Sequence, residues 1–222
     1  MKKNVIIVAG GKGKRAKTDI PKQFIRISGT PIIVHTIRKF IDYDTNINVI
    51  VVLPQEYIHL WIDIKTEFFP DINIRYTQGG EERFYSVKNG LELINDENSL
   101  TGIHDSVRPY ITTPIIESCY TTAEKFGTAI PVIPCTDSLR IILPDGTNIP
   151  TDRTMYKLVQ TPQVFRTDII KRAYNQNYAP NFTDDASVVE AMGIKVTLTQ
   201  GDVKNQKITT EYDLFLSKII LM

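Results

Sequence analysis

Hydrophobic positions along this chain fall into two alternating patterns. Continuous Val/Ile runs at Val5–Val8 and Val49–Leu53 read as strands covered on both faces, and Ile72–Tyr76, Gly102–His104 and Ala129–Ile133 read as further strands. Between them the apolar residues shift to helical spacing, as Ile33, Ile37, Phe40 and Ile41, as Phe84, Val87, Leu91 and Ile94, and as Ile116, Cys119, Tyr120 and Ala123. Thr30-Pro31 and Thr113-Pro114 each read as an N-cap followed by proline at the first helical position. Thr210-x-x-Asp213 reads as a capping box opening the last helix, and Thr183-Asp184-Asp185 as a helix start with acids favoured by the dipole. Alternating strands and helices predict an α/β fold, a doubly wound and mainly parallel sheet with helices on both faces. Ligands of such sheets bind outside the carboxyl ends of the strands, where Gly10, Gly80 and Asp105 fall.

The stretch 136–160 breaks this rhythm. Leu139–Leu143 reads as a strand, Pro144-Asp145-Gly146 as a turn and Tyr156–Gln160 as strand-like, so a β-arm is expected to project from a single domain spanning 1–222. A plain surface loop is the alternative reading. A hairpin carrying Leu139, Ile141, Ile142 and Leu143 is poorly stable alone, so the arm is expected to pair with a second copy.

Composition narrows the picture mostly by exclusion. A net charge of +1 over 222 residues gives no reason to expect binding to nucleic acid or to a membrane surface. No apolar run approaches the roughly 20 residues of a membrane span, and the first residues lack the long apolar centre of a secretory signal. Cys119 and Cys135 have no metal-like spacing and read as buried thiols in a reducing cytoplasm.

The chemistry concentrates where the first strand ends. Ala9-Gly10-Gly11-Lys12-Gly13-Lys14-Arg15 follows it, and Pro21-Lys22-Gln23 comes shortly after. Glycines there let backbone N–H groups approach phosphate oxygens, and Arg15 and Lys22 can neutralise charge as a P–O bond breaks. The loop does not fit G-x-x-x-x-G-K-[ST], so it is no Walker-type phosphate loop; the glycines alone also suit an ordinary strand-to-helix turn. Asp105, directly after a strand, can bind Mg²⁺ or can cap a turn. His104 reads as a packed, hydrogen-bonded residue rather than a metal ligand, because no partner His or Cys accompanies it.

Further motifs follow in order: Gly79-Gly80-Glu81-Glu82-Arg83-Phe84-Tyr85-Ser86-Val87, His104-Asp105-Ser106-Val107-Arg108-Pro109, Thr161-Pro162-Gln163 and Thr183-Asp184-Asp185-Ala186-Ser187. Together with the N-terminal loop they make the chain, from Val5 to about Ile219, resemble the 2-C-methyl-D-erythritol 4-phosphate cytidylyltransferase family of the non-mevalonate isoprenoid pathway. The resemblance implies a Rossmann-like nucleotidyltransferase that moves a cytidylyl group from CTP to methylerythritol phosphate, with Mg²⁺ and no covalent enzyme intermediate. It implies that Arg15 and Lys22 stabilise the transition state and that Asp105 binds the metal. CTP would lie against Ala9, Gly10, Gly11, Gly13, Gly80, Glu81, Arg83, Ser86, Ser106 and Arg108, and the acceptor against Ser138, Arg153, Thr161, Thr183 and Lys207. It further implies a homodimer built by the arm, with Arg153 reaching the neighbouring subunit's acceptor site. Glu81-Glu82-Arg83 also suits a charged first helical turn, and Arg108 either contacts phosphate or braces its own turn.

The chain departs from the family pattern at Ala16 (usually Met), at Ser106 and Val107 (usually two alanines), at Ser138 (usually Thr) and at Gln206 (usually Ile). Two other readings remain. A ribitol-5-phosphate cytidylyltransferase shares several motifs, but Thr151-Asp152-Arg153 and Thr183-Asp184-Asp185-Ala186 favour the methylerythritol enzymes. A catalytically inactive nucleotide-binding homologue is disfavoured by the presence of Arg15, Lys22 and Asp105 together.

Overall fold

The computed structural model describes residues 1–10 and 20–221. In chain order its strands are β1 (Lys2–Val8), β2 (Arg26–Ile27), β3 (Thr30–Pro31), β4 (Asn48–Leu53), β5 (Arg75–Gln78), β6 (Ser99–Asp105), β7 (Thr128–Pro134), β8 (Leu139–Ile142), β9 (Asn148–Thr151), β10 (Lys157–Val159), β11 (Gln163–Arg166) and β12 (Leu198–Gln200). Its helices are α1 (Ile32–Tyr43), α2 (Ile58–Phe68), α3 (Arg83–Glu92), α4 (Thr113–Phe126), α5 (Thr167–Ala173), α6 (Asp185–Glu190) and α7 (Glu211–Ile220).

β1 lies at the centre of the parallel part of the sheet, between β6 and β4, with β5 beyond β4. Val8 stands opposite both Asp105 and Val52, and Leu53 opposite Gln78, so the four strands finish level at one edge. β11 pairs antiparallel with β6 and with β7. Running against β6, it delivers its amino end, Thr161–Gln163, to the same edge as Asp105. β10 continues antiparallel along β7, and β12 joins β7 in parallel.

Strand pleating divides the core into two faces. Val5, Ile7, Val49, Val51 and Leu53 pack with residues of α1, α2 and α4, whereas Ile6, Ile50, Val52 and Ile103 pack with α3, α5 and α6. A smaller cluster of Ile27, Ile32, Val107, Ile208 and Leu214 pins α7 against the turn that follows β6.

The fold is the expected doubly wound, mainly parallel sheet, and the local departures have physical causes. Thr30-Pro31 does not cap α1. It pairs with Arg26-Ile27 across a turn in which Ser28 and Gly29 have φ of 50° and 79°, and α1 opens only at Ile32. Thr112, not Thr113, holds the cap position of α4, so Pro114 lies inside the first turn. The strand expected over Ile72–Tyr76 starts at Arg75, because Ile72 and Ile74 are held in turns while pairing with β4 begins at Arg75. The expected capping box of Thr210 with Asp213 opens α7, and the helix start expected at Thr183-Asp184-Asp185 is capped by Asp184, which forms a second box with Ser187. Cys119 is buried, but Cys135 is only half-buried, since β7 leaves the body of the sheet there and leads into the arm. The expected hairpin is β8 with β9, which pair only with each other. Among the described residues no helix is long and apolar enough to cross a membrane.

Candidate active site

Three segments meet at the carboxyl edge of β1. The Ala9 carbonyl, one residue past the strand, accepts from Gln23 Nε2 at 2.6 Å. That bond ties Gln23, and with it the short 3₁₀ turn Lys22–Phe24, to the end of the strand. The second segment follows β5. Gly80 N–H donates to Ser86 Oγ at 3.1 Å, and that hydroxyl donates to the Glu82 carbonyl. A side chain at Gly80 would place its Cβ 2.3 Å from that of Tyr85, and one at Gly79 would come within 2.9 Å of Ser86 Oγ. A Cβ on Gly10 would lie 3.5 Å from the same oxygen, so Ser86 sits between the two glycine segments. Gly79 and Gly80 are therefore required by close approach within the protein, whereas at Gly10 a Cβ would make only an ordinary contact.

The third segment is the turn after β6, held from four directions. Ser106 N–H donates to the Val8 carbonyl at 3.1 Å, and the Ser106 carbonyl accepts from Thr36 of α1 at 2.9 Å. The Val107 carbonyl accepts from Ile208 N–H at 2.9 Å. Arg108 Nη1 donates to the Asn205 carbonyl at 2.8 Å. Asp105, 8% exposed, faces two cations, with Arg108 Nε at 3.0 Å and Lys207 Nζ at 3.1 Å, both on Oδ2. Burial pushes the Asp105 carboxyl up, but Lys207, Arg108 and Arg83 outweigh it and hold the group well below the usual carboxylate range. Asp105 is thus a fixed anion held among cations.

Arg83 forms a bidentate pair with Asp185 at 2.8 and 2.6 Å, and Tyr174 donates to Asp185 Oδ1 at 2.6 Å. Asp185 is fully buried, so the pair ties α3 to α6. Burial opposes the charge on Arg83, and Asp185 more than restores it. Gln163 bridges onward, donating to Asp184 Oδ2 and accepting from Ala186 N–H, both at 2.8 Å. Thr161 is buried beside Asp105, and its carbonyl accepts from Asn205 Nδ2 at 2.9 Å. His104 is fully buried, edge-on to Phe40 at 4.9 Å, and burial pulls its ring down to about 3.

The structure therefore brings Ala9, Gly10, Lys22, Gly80 and Ser86 to one part of the edge, and Asp105, Ser106, Arg108, Thr161 and Lys207 to another. Arg108 braces its own turn, and the Arg83 guanidinium is engaged by Asp185. Glu81 and Thr183 are exposed on the segments leading into α3 and α6. Ser138 and Arg153 lie on the exposed arm, where Arg153 Nη1 donates to the Thr136 carbonyl. Gly11, Gly13 and Arg15 lie outside the described residues. Sequence reasoning missed Asp185 as the partner of Arg83, and Asn205 as a tie between Arg108 and Thr161. For Asn205 the signal was its place two residues before Lys207.

Known proteins give this edge a family. The family model described as IspD, 2-C-methyl-D-erythritol 4-phosphate cytidylyltransferase, matches residues 4–222. The enzyme of that name from Bacteroides thetaiotaomicron is 46% identical over 221 residues, with 100% of both chains covered. Its counterpart from Porphyromonas gingivalis is 40% identical over 221 residues, covering 99% of this chain and 98% of its own. Among solved structures, the 4-diphosphocytidyl-2C-methyl-D-erythritol synthase of Anaerococcus prevotii superposes with a TM-score of 0.85 at 25% identity, covering 99% of this chain and 98% of its own. The bifunctional IspDF of Campylobacter jejuni superposes at 0.80 with 26% identity over 97% of this chain and 54% of its own. With the family model spanning nearly every residue, the chain belongs to the 2-C-methyl-D-erythritol 4-phosphate cytidylyltransferase family.

Proposed function

We infer that this chain carries out the transfer its family is named for. A phosphate oxygen of methylerythritol phosphate attacks the α-phosphorus of CTP, giving CDP-methylerythritol and pyrophosphate. The observation that carries the reading is the Asp105 carboxylate held by Arg108 and Lys207 at the strand edge where the glycine segments converge. Two polyanions repel each other, so the protein's task is to align them and offset their charge. Gly10 and Gly80 converge on the Ser86 hydroxyl, and in this reading the nucleotide lies against that corner. Lys22, beside the end of β1, and Arg15 are assigned the charge that grows on the phosphates at the transition state. Lys207 joins the two halves, because its ammonium sits on Asp105 while its segment leads to Asn205 and Thr161. Thr183 and, from the arm, Ser138 and Arg153 complete the acceptor side in this reading.

Asp105 is the residue that would hold a divalent cation. Magnesium is commonly held by one or two carboxylates together with substrate phosphates, and a single hard oxygen donor that stays ionised suits that chemistry. When bound, the cation supplies further neutralisation of phosphate charge. The arm supports a homodimer, since Ile142 and Met155 are 69% and 80% exposed on an otherwise unpaired hairpin and its return. A cytoplasmic setting agrees with the free thiols Cys119 and Cys135.

Turnover measured with different nucleotides and metals tests this reading. CTP is expected to be used well ahead of UTP and ATP, activity is expected to vanish in excess chelator, and Asp105→Asn is expected to raise the magnesium requirement or abolish activity in a folded protein. Equal use of UTP, or full activity in chelator, contradicts it.

A further inference from the structure

His104 is a buried group to which the transfer reaction assigns no task. Its ring touches both halves of the site. Nδ1 lies 3.1 Å from Thr161 Oγ1, and Nε2 lies 3.3 Å from the Arg108 carbonyl oxygen. Thr161 Oγ1 is also 3.1 Å from Asp105 N–H, which donates to it. The partners select one tautomer of a neutral ring. A carbonyl only accepts, so Nε2 carries the proton and donates to Arg108. Nδ1 is then bare and accepts, and Thr161, already accepting from Asp105, spends its only proton on it. The chain runs Asp105 N–H to Thr161 Oγ, Thr161 O–H to His104 Nδ1, and His104 Nε2–H to the Arg108 carbonyl.

We propose that His104 is a positioning residue with two separable tasks, one for each ring nitrogen. Through Nδ1 it fixes the rotor of the Thr161 hydroxyl, which faces the acceptor. Through Nε2 it fixes the carbonyl end of the Asp105–Arg108 turn, which faces the nucleotide phosphates. One consequence concerns recognition. With its proton committed, Thr161 offers the acceptor a lone pair, so it receives a hydrogen bond from a hydroxyl of the polyol and does not donate to the phosphate. The inference rests on the reading above that places Thr161 on the acceptor side and Asp105 and Arg108 on the nucleotide side.

Two substitutions separate the tasks. In His104→Asn the amide oxygen can replace Nδ1 as acceptor, but nothing reaches the place of Nε2. In His104→Gln the amide nitrogen can donate to the Arg108 carbonyl, but no acceptor remains for Thr161. Steady-state kinetics of the full chain should show His104→Gln raising KM for methylerythritol phosphate about tenfold with KM for CTP near wild type, the scale of one buried hydrogen bond. His104→Asn should do the reverse. In a Thr161→Val background, His104→Gln should add less than about twofold, because the bond it breaks is already gone.

Equal shifts of both KM values in both variants, or none, overturn the proposal while leaving the reaction intact. Absence of any cytidylyl transfer by the wild type would instead overturn the functional reading. Should the His104 variants fail to fold, ¹⁵N spectra of the wild-type ring decide: a proton on Nε2 and a bare Nδ1 are expected, and the opposite tautomer refutes the assignment.

Discussion

Charge at this site is set by immediate neighbours. Asp105 stays ionised although it is buried, because Lys207 and Arg108 touch one of its oxygens. His104, one residue earlier on the same strand, stays neutral because burial outweighs the pull of Asp105 and of the Arg108 carbonyl, while Arg108 and Lys207 add to the effect of burial. The two residues therefore respond differently to acid. His104 titrates near 6.5 when unfolded but only at about 3 when folded, so between those values the unfolded chain binds the extra proton and stability falls as pH drops. Asp105, whose folded value is depressed, begins to lose its contribution only as pH falls below the unfolded carboxylate range near about 4. Urea unfolding without metal should therefore show wild type losing about 2 kcal/mol more than His104→Asn between pH 6.5 and 5. Equal losses would mean that His104 is not held neutral. Asp105 and Arg108 were legible in the sequence because their types suit the chemistry and they come at or just after the end of a strand, and Lys207 was legible only through the family resemblance. Asp185 was not, because its role comes from Arg83, 102 residues away in the chain.

Among the elements, α6 is joined to the site through side chains rather than through the sheet. Asp184 caps it and also receives Gln163 from β11, while Asp185 receives Arg83 from α3. Arg83→Ala would leave the Asp185 carboxylate buried with only the Tyr174 hydroxyl to satisfy it. The expected cost is about 3 kcal/mol, the low end for removing one partner of a buried pair, and Asp185→Asn in the same background should restore part of it. Chemical denaturation checks this; a single variant within about 0.5 kcal/mol of wild type would show that the pair does not hold α3 to α6. β1, β4, β6, β7, α1, α3 and α4 were legible from their periodicity, since strands buried on both faces and helices with one apolar face leave strong patterns, whereas α2 and α5 were not read. β11 was not, because only Val164 and Phe165 mark it and its place between β6 and β7 is a matter of tertiary pairing. Thr30-Pro31 misled for a related reason: the pair fits a helix start, but the turn at Ser28-Gly29 draws it into a hairpin first.

At the scale of the whole molecule, the carboxyl ends of β1, β4, β5 and β6 and the amino end of β11 gather motifs from distant parts of the chain at one edge. Arg153 and Ser138 lie on the exposed arm, where Arg153 donates to the arm's own Thr136 carbonyl, and the proposal that the arm completes a neighbouring subunit's site is tested at this scale. An Arg153→Ala subunit mixed with a Lys22→Ala subunit should regain activity, since one of the two sites in the heterodimer is then intact, whereas each homodimer is nearly inactive. Exchange of subunits without recovery would place Arg153 in its own subunit's site or in none. A dimer is legible in the sequence only as an expectation, because an apolar hairpin announces a need for cover without naming what covers it. The measurement that bears most directly on the central claim is pyrophosphate release from CTP with each acceptor in turn. Methylerythritol phosphate should support turnover with a kcat/KM far above that of D-ribitol 5-phosphate, and the product should be the CDP-alcohol. A higher kcat/KM for ribitol phosphate, or no pyrophosphate with either, would contradict it.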